Sequence, residues 1–309
     1  MTLEQLRIFL AVAERQHVTE AARALNLTQS AVSNAVAALE ERHAVRLFDR
    51  VGRGIVLNEN GRAFLPEARA VMDRAALAEA VLHDLGGLRR GRLRLCASQT
   101  IAGYWLPERL ARFHAAYPAV ELDVSVGNTH EVAQAVLEGG CEIGFVEGAV
   151  DHAGLELLEI GRDRLLILCR PSHPWARLAS LTAADLSDAA WIMREAGSGT
   201  RSSLEAAMAE AGCDPAGLPV SLVLPSNEAV LSAVQAGNGV AALSQYVAGA
   251  ALAAGLVTAL PFDLPARPFH ALRHRDRFRT RAVEAFVQLL PDGAAPAEPL
   301  ISRDGTARR

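Results

Sequence analysis

Apolar positions in the first 85 residues recur at helical spacing, whereas from Leu93 they fall into short runs separated by helical segments. Leu3, Leu6, Phe9, Leu10 and Ala13 make the stripe of a first amphipathic helix. A short helix is expected from Thr19 to Leu25 with Thr19 as its N-cap, then a brief Asn-Leu-Thr turn and a third helix capped by Thr28. The inner face of that third helix needs only Val32, Val36 and Leu39. Its start nevertheless gathers Thr28, Gln29, Ser30, Ser33 and Asn34, all short, polar and uncharged. A helix built only for solubility would carry Glu, Lys or Arg there. Two short helices joined by a tight turn, the second with a polar leading end, predict a helix-turn-helix. In that motif the start of the second helix meets base edges in the major groove.

The next segment, VRLFDRVGRGIVLNENG, alternates in two strand-like runs around a Gly-Arg-Gly turn and holds Arg46, Arg50 and Arg53 close together. Such a hairpin is a wing, suited to gripping phosphates, with Arg50 and Arg53 as the candidate contacts. From about Asn58 to Leu85 the pattern becomes one long helix. Phe64, Ala68, Val71, Ala75, Ala78, Leu82 and Leu85 follow at alternating spacings of four and three, the seam of a helix that pairs with another helix. Pro66 should sit in its first turns or kink it. DLGGLRRGR then reads as a hinge. Beyond it, strands and helices alternate from LRLCAS to TRAVEAFVQLL, which predicts a wound, mostly parallel sheet. The Ala-, Pro- and Arg-rich stretch after Pro291 reads as a disordered tail. The expected domains are therefore 1–60 (winged helix-turn-helix), 61–88 (linker helix) and 89–292. The last has two lobes, about 92–162 with 266–292 and about 163–265, followed by the tail at 293–309.

Composition changes this picture little. The net charge is −4, and residues 1–60 hold seven arginines against seven acids, so basicity near DNA would be a matter of placement. All 31 basic residues are arginine, the better fork for phosphates. Cys96, Cys141, Cys169 and Cys213 form no Cys-x-x-Cys pair and no secretory signal precedes them, so reduced thiols and a cytoplasmic location are expected. Residues 229–262 carry no charge, but the longest uninterrupted apolar run, Tyr246 to Leu260, is 15 residues and too short to span a bilayer.

LEQLRIFLAVAE, AARALNLTQSAVSNAVAALEE, LFDR, LNENG, YPAVEL and QAGNGVAAL, in this order, resemble the LysR-type transcriptional regulators over nearly all residues up to about 290. ASQTIAGYWLPERLARFHAAYP, VGNTHEVAQAVLEGG, GFVEG and REAGSGTR look like the branch containing CysL, YeiE and CbbR. His43 and Ala44 stand where the family usually has Leu-Gly, and Asn34 where a long Arg or Gln is common. The resemblance implies a homo-oligomer, usually a tetramer, dimerised through residues 64–85. It also implies a two-lobed effector domain of the periplasmic-binding-protein type and promoter DNA as partner, with RNA polymerase a further candidate. Within that branch it implies a small anionic or phosphorylated effector.

Two helix starts are candidate anion sites, since free N–H groups and the helix dipole favour negative charge. Ser98, Gln99 and Thr100 follow one predicted strand; Arg194, Gly197, Ser198, Gly199, Thr200 and Arg201 follow another. Gly197 and Gly199 let the backbone fold over a ligand, the hydroxyls donate, and Arg201 supplies charge. Asn128 and Asn227, at two further helix starts, complete the set with Glu147, which would neutralise an arginine or select a protonated ligand. Enzyme readings fare poorly. GSGT is no nucleophile elbow. GNGVAA follows a helix and precedes a strand, the reverse of a dinucleotide turn. His270 and His274 lack acidic or cysteine neighbours for a metal. No cofactor, membrane span or catalytic residue is expected. The competing expectation is a small-molecule-binding protein of the periplasmic-binding fold with an unrelated helical front end.

Overall fold

Thr2 opens the first helix with a reciprocal cap: its hydroxyl accepts from the Gln5 N–H while the Gln5 side chain accepts from the Thr2 N–H. The computed structural model describes residues 1–51, 54–85, 91–237 and 239–290. Two compact units result, one built on Met1–Leu82 and one on His83–Leu137 with the chain from Cys141. In the first, α1 (Leu3–Arg15), α2 (Val18–Leu25) and α3 (Gln29–His43) are joined through Gln16 and Asn26, both left-handed, which turn the chain without a long loop. Thr19 is not the cap of α2. The extended His17 takes that position and makes no side-chain cap, because the left-handed Gln16 brings the helix in a residue earlier. Thr28 does cap α3, accepting from the Ala31 N–H at 3.2 Å. Leu6, Phe9, Val12, Ala21, Ala22, Val32, Val36 and Leu39 share one core.

A hairpin follows, β1 (Phe48–Val51) antiparallel to β2 (Gly54–Leu57); the expected phosphate contact Arg53 lies outside the described residues. α4 (Glu59–Leu85) contains Pro66 in its early turns. Its amino-terminal part serves its own unit, with Ala68 buried and Phe64 packed on Phe9. Farther on, Val71, Ala78 and Leu82 are exposed. The Leu85 side chain, the hinge at 86–90 and the tail at 293–309 lie outside the described residues.

The second unit starts with β3 (Gly91–Ser98), a π turn at Ile101–Trp105 and α5 (Leu106–Ala116). It continues through β4 (Val120–Gly127), α6 (Thr129–Glu138), β5 (Ile143–Glu147) and β6 (Leu155–Cys169). α7 (Ala183–Ser187), β7 (Trp191–Arg194), α8 (Gly199–Glu210), β8 (Val220–Leu224) and α9 (Asn227–Ala236) come next. Then come β9 (Ala241–Ser244), α10 (Gln245–Ala253), β10 (Thr258–Ala259), β11 (Ala266–His274) and α11 (Arg281–Gln288). The sheet is mixed rather than mostly parallel: β3 pairs in parallel with β4 and β5, but β11 runs antiparallel to β5 and β6, and β6 antiparallel to β9 and β10. The cause is that β6 and β11 each run from one lobe to the other. Residues 155–162 of β6, which the apolar pattern did not announce, pair with β11, while Leu165–Leu168 pair with β9.

The cysteines also differ from expectation. Cys96 on β3 and Cys141 before β5 are joined in a disulfide, because strand pairing brings together residues 45 apart in sequence. Cys169 stays free and buried, with its thiol pushed up to about 11 by desolvation. Among the described residues no helix is long and apolar enough to cross a membrane.

Candidate functional site

In the first unit, Thr28, Gln29, Ser30, Ser33 and Asn34 are all exposed at the start of α3, above the buried Val32, Val36 and Leu39. Gln29 and Ser33 line a groove of about 880 Å3 whose other wall is the hairpin, with Arg46, Asp49, Arg50 and Gly54. Glu40, 7 % exposed, ties the wing to α3: its carboxylate accepts from the Leu47 N–H at 2.7 Å, the Phe48 N–H at 3.3 Å and Arg46 at 2.9 Å. Arg50 has no such tether among the described residues and is exposed beside the polar helix start. A polar helix start and an arginine-bearing hairpin framing one groove can offer base-edge donors and a phosphate contact together.

In the second unit, hydrogen bonds link several of the predicted residues of the two lobes. Ser98 and Thr100 of the first lobe and Arg194, Ser198, Thr200 and Asn227 of the second are buried. Gln99 spans the cleft, donating to the Pro225 carbonyl at 2.8 Å and accepting from the Asn227 N–H at 3.1 Å. Asn227 in turn donates to Thr100 Oγ1 at 3.2 Å and accepts from Arg194 at 2.5 Å. Asn128 caps α6 through a reciprocal pair with Glu131, and the neighbouring His130 N–H donates to the Gly197 carbonyl. Gly197 needs its left-handed φ of 88°, and a Cβ on Gly199 would collide with the Glu147 carbonyl. Ser198 stands at the N-cap of α8 but makes no cap with its side chain, so the first-turn N–H groups of that helix have no hydroxyl acceptor from it. Arg201 is turned away from this role: it pairs with Glu205 at 2.7 Å and reaches the Arg194 carbonyl at 3.4 Å.

Residues 3–62 match the family model described as the bacterial regulatory helix-turn-helix protein, lysR family, and residues 86–295 match the LysR substrate binding domain. The chain belongs to the LysR family of transcriptional regulators. It is 34% identical over 301 residues to an uncharacterized HTH-type transcriptional regulator, YeiE, of Escherichia coli K12, covering 96% of this chain and 99% of that one. Among solved structures it is similar to full-length CbnR complexed with its target DNA (TM-score 0.71, 21% identity, 95% of this chain and 100% of that one). The regulatory domain of CcmR from Synechocystis PCC6803 in complex with 2-PG is also similar (TM-score 0.61, 26% identity, 67% of this chain and 100% of that one).

This LysR-family regulator carries cleft residues that the sequence did not flag. Arg267 of β11, 4 % exposed, donates from Nε and Nη2 to Asp163 at 2.9 and 2.7 Å and from Nη1 to Thr200 Oγ1 at 3.2 Å. Asp163 of β6 also accepts from the Ser244 hydroxyl at 2.8 Å. Burial pushes the Asp163 carboxyl above its usual range, while the Arg267 guanidinium pulls it back. Arg267 sits in PARPFH, where neither a helix start nor a glycine marks it. Only the pairing of β11 with β6 brings it to the cleft.

Proposed function

We propose that this LysR-type regulator binds promoter DNA as a homo-oligomer in the cytoplasm and senses a small oxyanion between its lobes. Gln29, Ser30, Ser33 and Asn34 would face base edges, and Arg50 and Arg53 the phosphates. The 64–85 seam would join two protomers, with a tetramer as the full assembly. In the cleft, the observation that carries the reading is the uncapped start of α8. Buried Ser198 and Thr200 sit there with first-turn N–H groups that no Ser198 side chain satisfies, and Asn227 holds the buried Thr100 hydroxyl of the other lobe. The CcmR regulatory domain in complex with 2-PG supports a small-molecule ligand in this domain, and the N–H donors favour an oxyanion, sulfite or sulfate first and a phosphorylated metabolite second. Several charge-assisted bonds of about 1.5–3 kcal/mol each suffice for micromolar binding despite the entropy of association. Arg201 is paired with Glu205, whereas Arg267 donates to the Thr200 hydroxyl that would face the ligand. Calorimetry with inorganic phosphate and sulfite on the wild type, Thr100→Ala and Arg201→Ala tests this. Thr100→Ala should bind about tenfold more weakly for each lost bond, and Arg201→Ala nearly as the wild type. Equal affinity in the wild type and Thr100→Ala, or binding by neither, rules the site out.

A further inference from the structure

Glu40 lies on the face of α3 that lines the groove, about two helical turns beyond Ser33 and on the same side as Gln29, Val36 and Ala37. An acid is an unusual choice there. Its neighbours Val36 and Leu39 close an apolar core, and burial strips the carboxylate of most of its hydration. What it meets instead is the root of the hairpin. Oε1 takes the N–H groups of Leu47 and Phe48, and Oε2 takes the Arg46 guanidinium. The Arg46 side chain is 79 % exposed, so its pair with Glu40 carries little energy. The two charge-assisted backbone bonds fix the position.

The opposite edge of the same root is held as well. The Arg46 carbonyl accepts from the side-chain amides of Asn58 at 3.0 Å and Asn60 at 3.2 Å, and the Leu47 carbonyl accepts from the Asn58 N–H at 3.1 Å. A Cβ on Gly61 would collide with the Leu47 carbonyl, so α4 starts in direct contact with this segment. Farther along, the Ile55 N–H donates to the Gln16 carbonyl at 3.2 Å, which docks β2 on the turn between α1 and α2. Residues 46–48 are thus gripped by α3 at their N–H groups and by the start of α4 at their carbonyls. Base edges and phosphates have a fixed spacing on a duplex, and a protein that reads both must hold its two reading elements to about 0.5 Å. Non-specific binding needs phosphates alone and tolerates a loose hairpin.

We propose that Glu40 is a positioning residue of the DNA interface. It touches no base, but fixes the arginine-bearing hairpin relative to the polar start of α3, so that base edges and phosphates are engaged in one register. Asn60 assists from α4. The inference rests on the reading of α3 and the hairpin as the two DNA contacts, and adds what holds them in register.

The test uses the full-length protein and two duplexes of equal length, one enriched by the wild type from a random-sequence pool and one of unrelated sequence. Affinities are measured over a range of salt concentrations, below the melting temperature of every variant. Glu40→Ala should cut the preference for the enriched duplex about ten- to hundredfold and flatten its salt slope by about 1–2, while the unrelated duplex binds within about threefold of the wild type. Glu40→Gln keeps an oxygen acceptor for the two N–H groups and should hold the preference within about threefold of the wild type. A role in stability alone would lower the melting temperature and leave the preference unmoved. Should Glu40→Ala not fold, Asn60→Ala, altered at an exposed side chain, takes its place with an expected loss of about threefold. Wild-type preference in folded Glu40→Ala, or in Asn60→Ala where that variant decides, overturns the proposal, as does a Glu40→Gln protein as indiscriminate as Glu40→Ala. Each of these leaves the two DNA contacts standing. A wild type that enriches no sequence overturns both.

Discussion

At φ 51°, Ala44 holds the left-handed conformation that ends α3, with its N–H donating to the Glu40 and Glu41 carbonyls. An L-residue is disfavoured there by about 1 kcal/mol, a cost that glycine escapes. Ala44→Gly should therefore raise the stability of the first unit by about 1 kcal/mol, less what the freer unfolded chain takes back. Urea unfolding followed by helix signal measures it; a lower midpoint would contradict the strain. Four residues earlier, Glu40 is legible from sequence only as one more acid on a helix. The structure buries it because the chain returns past it and aims the Leu47 and Phe48 N–H groups at its carboxylate. Glu40→Ala leaves those two donors without an acceptor and should cost about 2–3 kcal/mol. Circular dichroism melting of the variant checks this, and a loss under half of that would mean water replaces the carboxylate. Neither effect could be read from residue type alone, since each depends on a backbone direction.

The helices were legible because their apolar stripes are long and regular, and the groove of α3 and the wing follows from two adjacent patterns. Residues 155–162 of β6 were not, because Leu157 and Leu158 are both exposed while Glu156, Glu159 and Arg162 interrupt the alternation. Arg267 escaped for the same reason: a lone arginine within a strand gives no local signal until its partner strand is known. The seam of α4 was visible, and the structure divides it. Ala68 closes the core of its own unit, whereas Val71, Ala78 and Leu82 present an uncovered apolar edge. A glutamate at Ala78 would put an unpaired charge in any helix–helix contact there, at a cost of about 3–5 kcal/mol. Ala78→Glu protein should sediment as a smaller species than the wild type. If it keeps the wild-type assembly, the edge faces solvent in every protomer.

Across the whole second unit, the disulfide closes a loop of 45 residues that contains α5, β4 and α6. On loop-closure entropy alone it contributes about 4 kcal/mol against the reduced unfolded chain. Added reductant should lower the melting temperature of this unit, and a Cys96→Ser, Cys141→Ser protein should melt the same with or without reductant. No shift in the wild type would show the thiols to be unbridged in solution. The connection between lobes has a mechanical meaning. The lobes are joined by β6 and β11, two strands hydrogen-bonded to each other from Ala266–Arg164 to His274–Leu155, and not by a pair of slack loops. Such a joint behaves like a leaf spring. It yields by a little extra twist distributed over many residues and stores elastic energy as it does so. A ligand bound as proposed would set the angle of this spring through Arg267, which is riveted to one leaf and bonded to the other at Asp163.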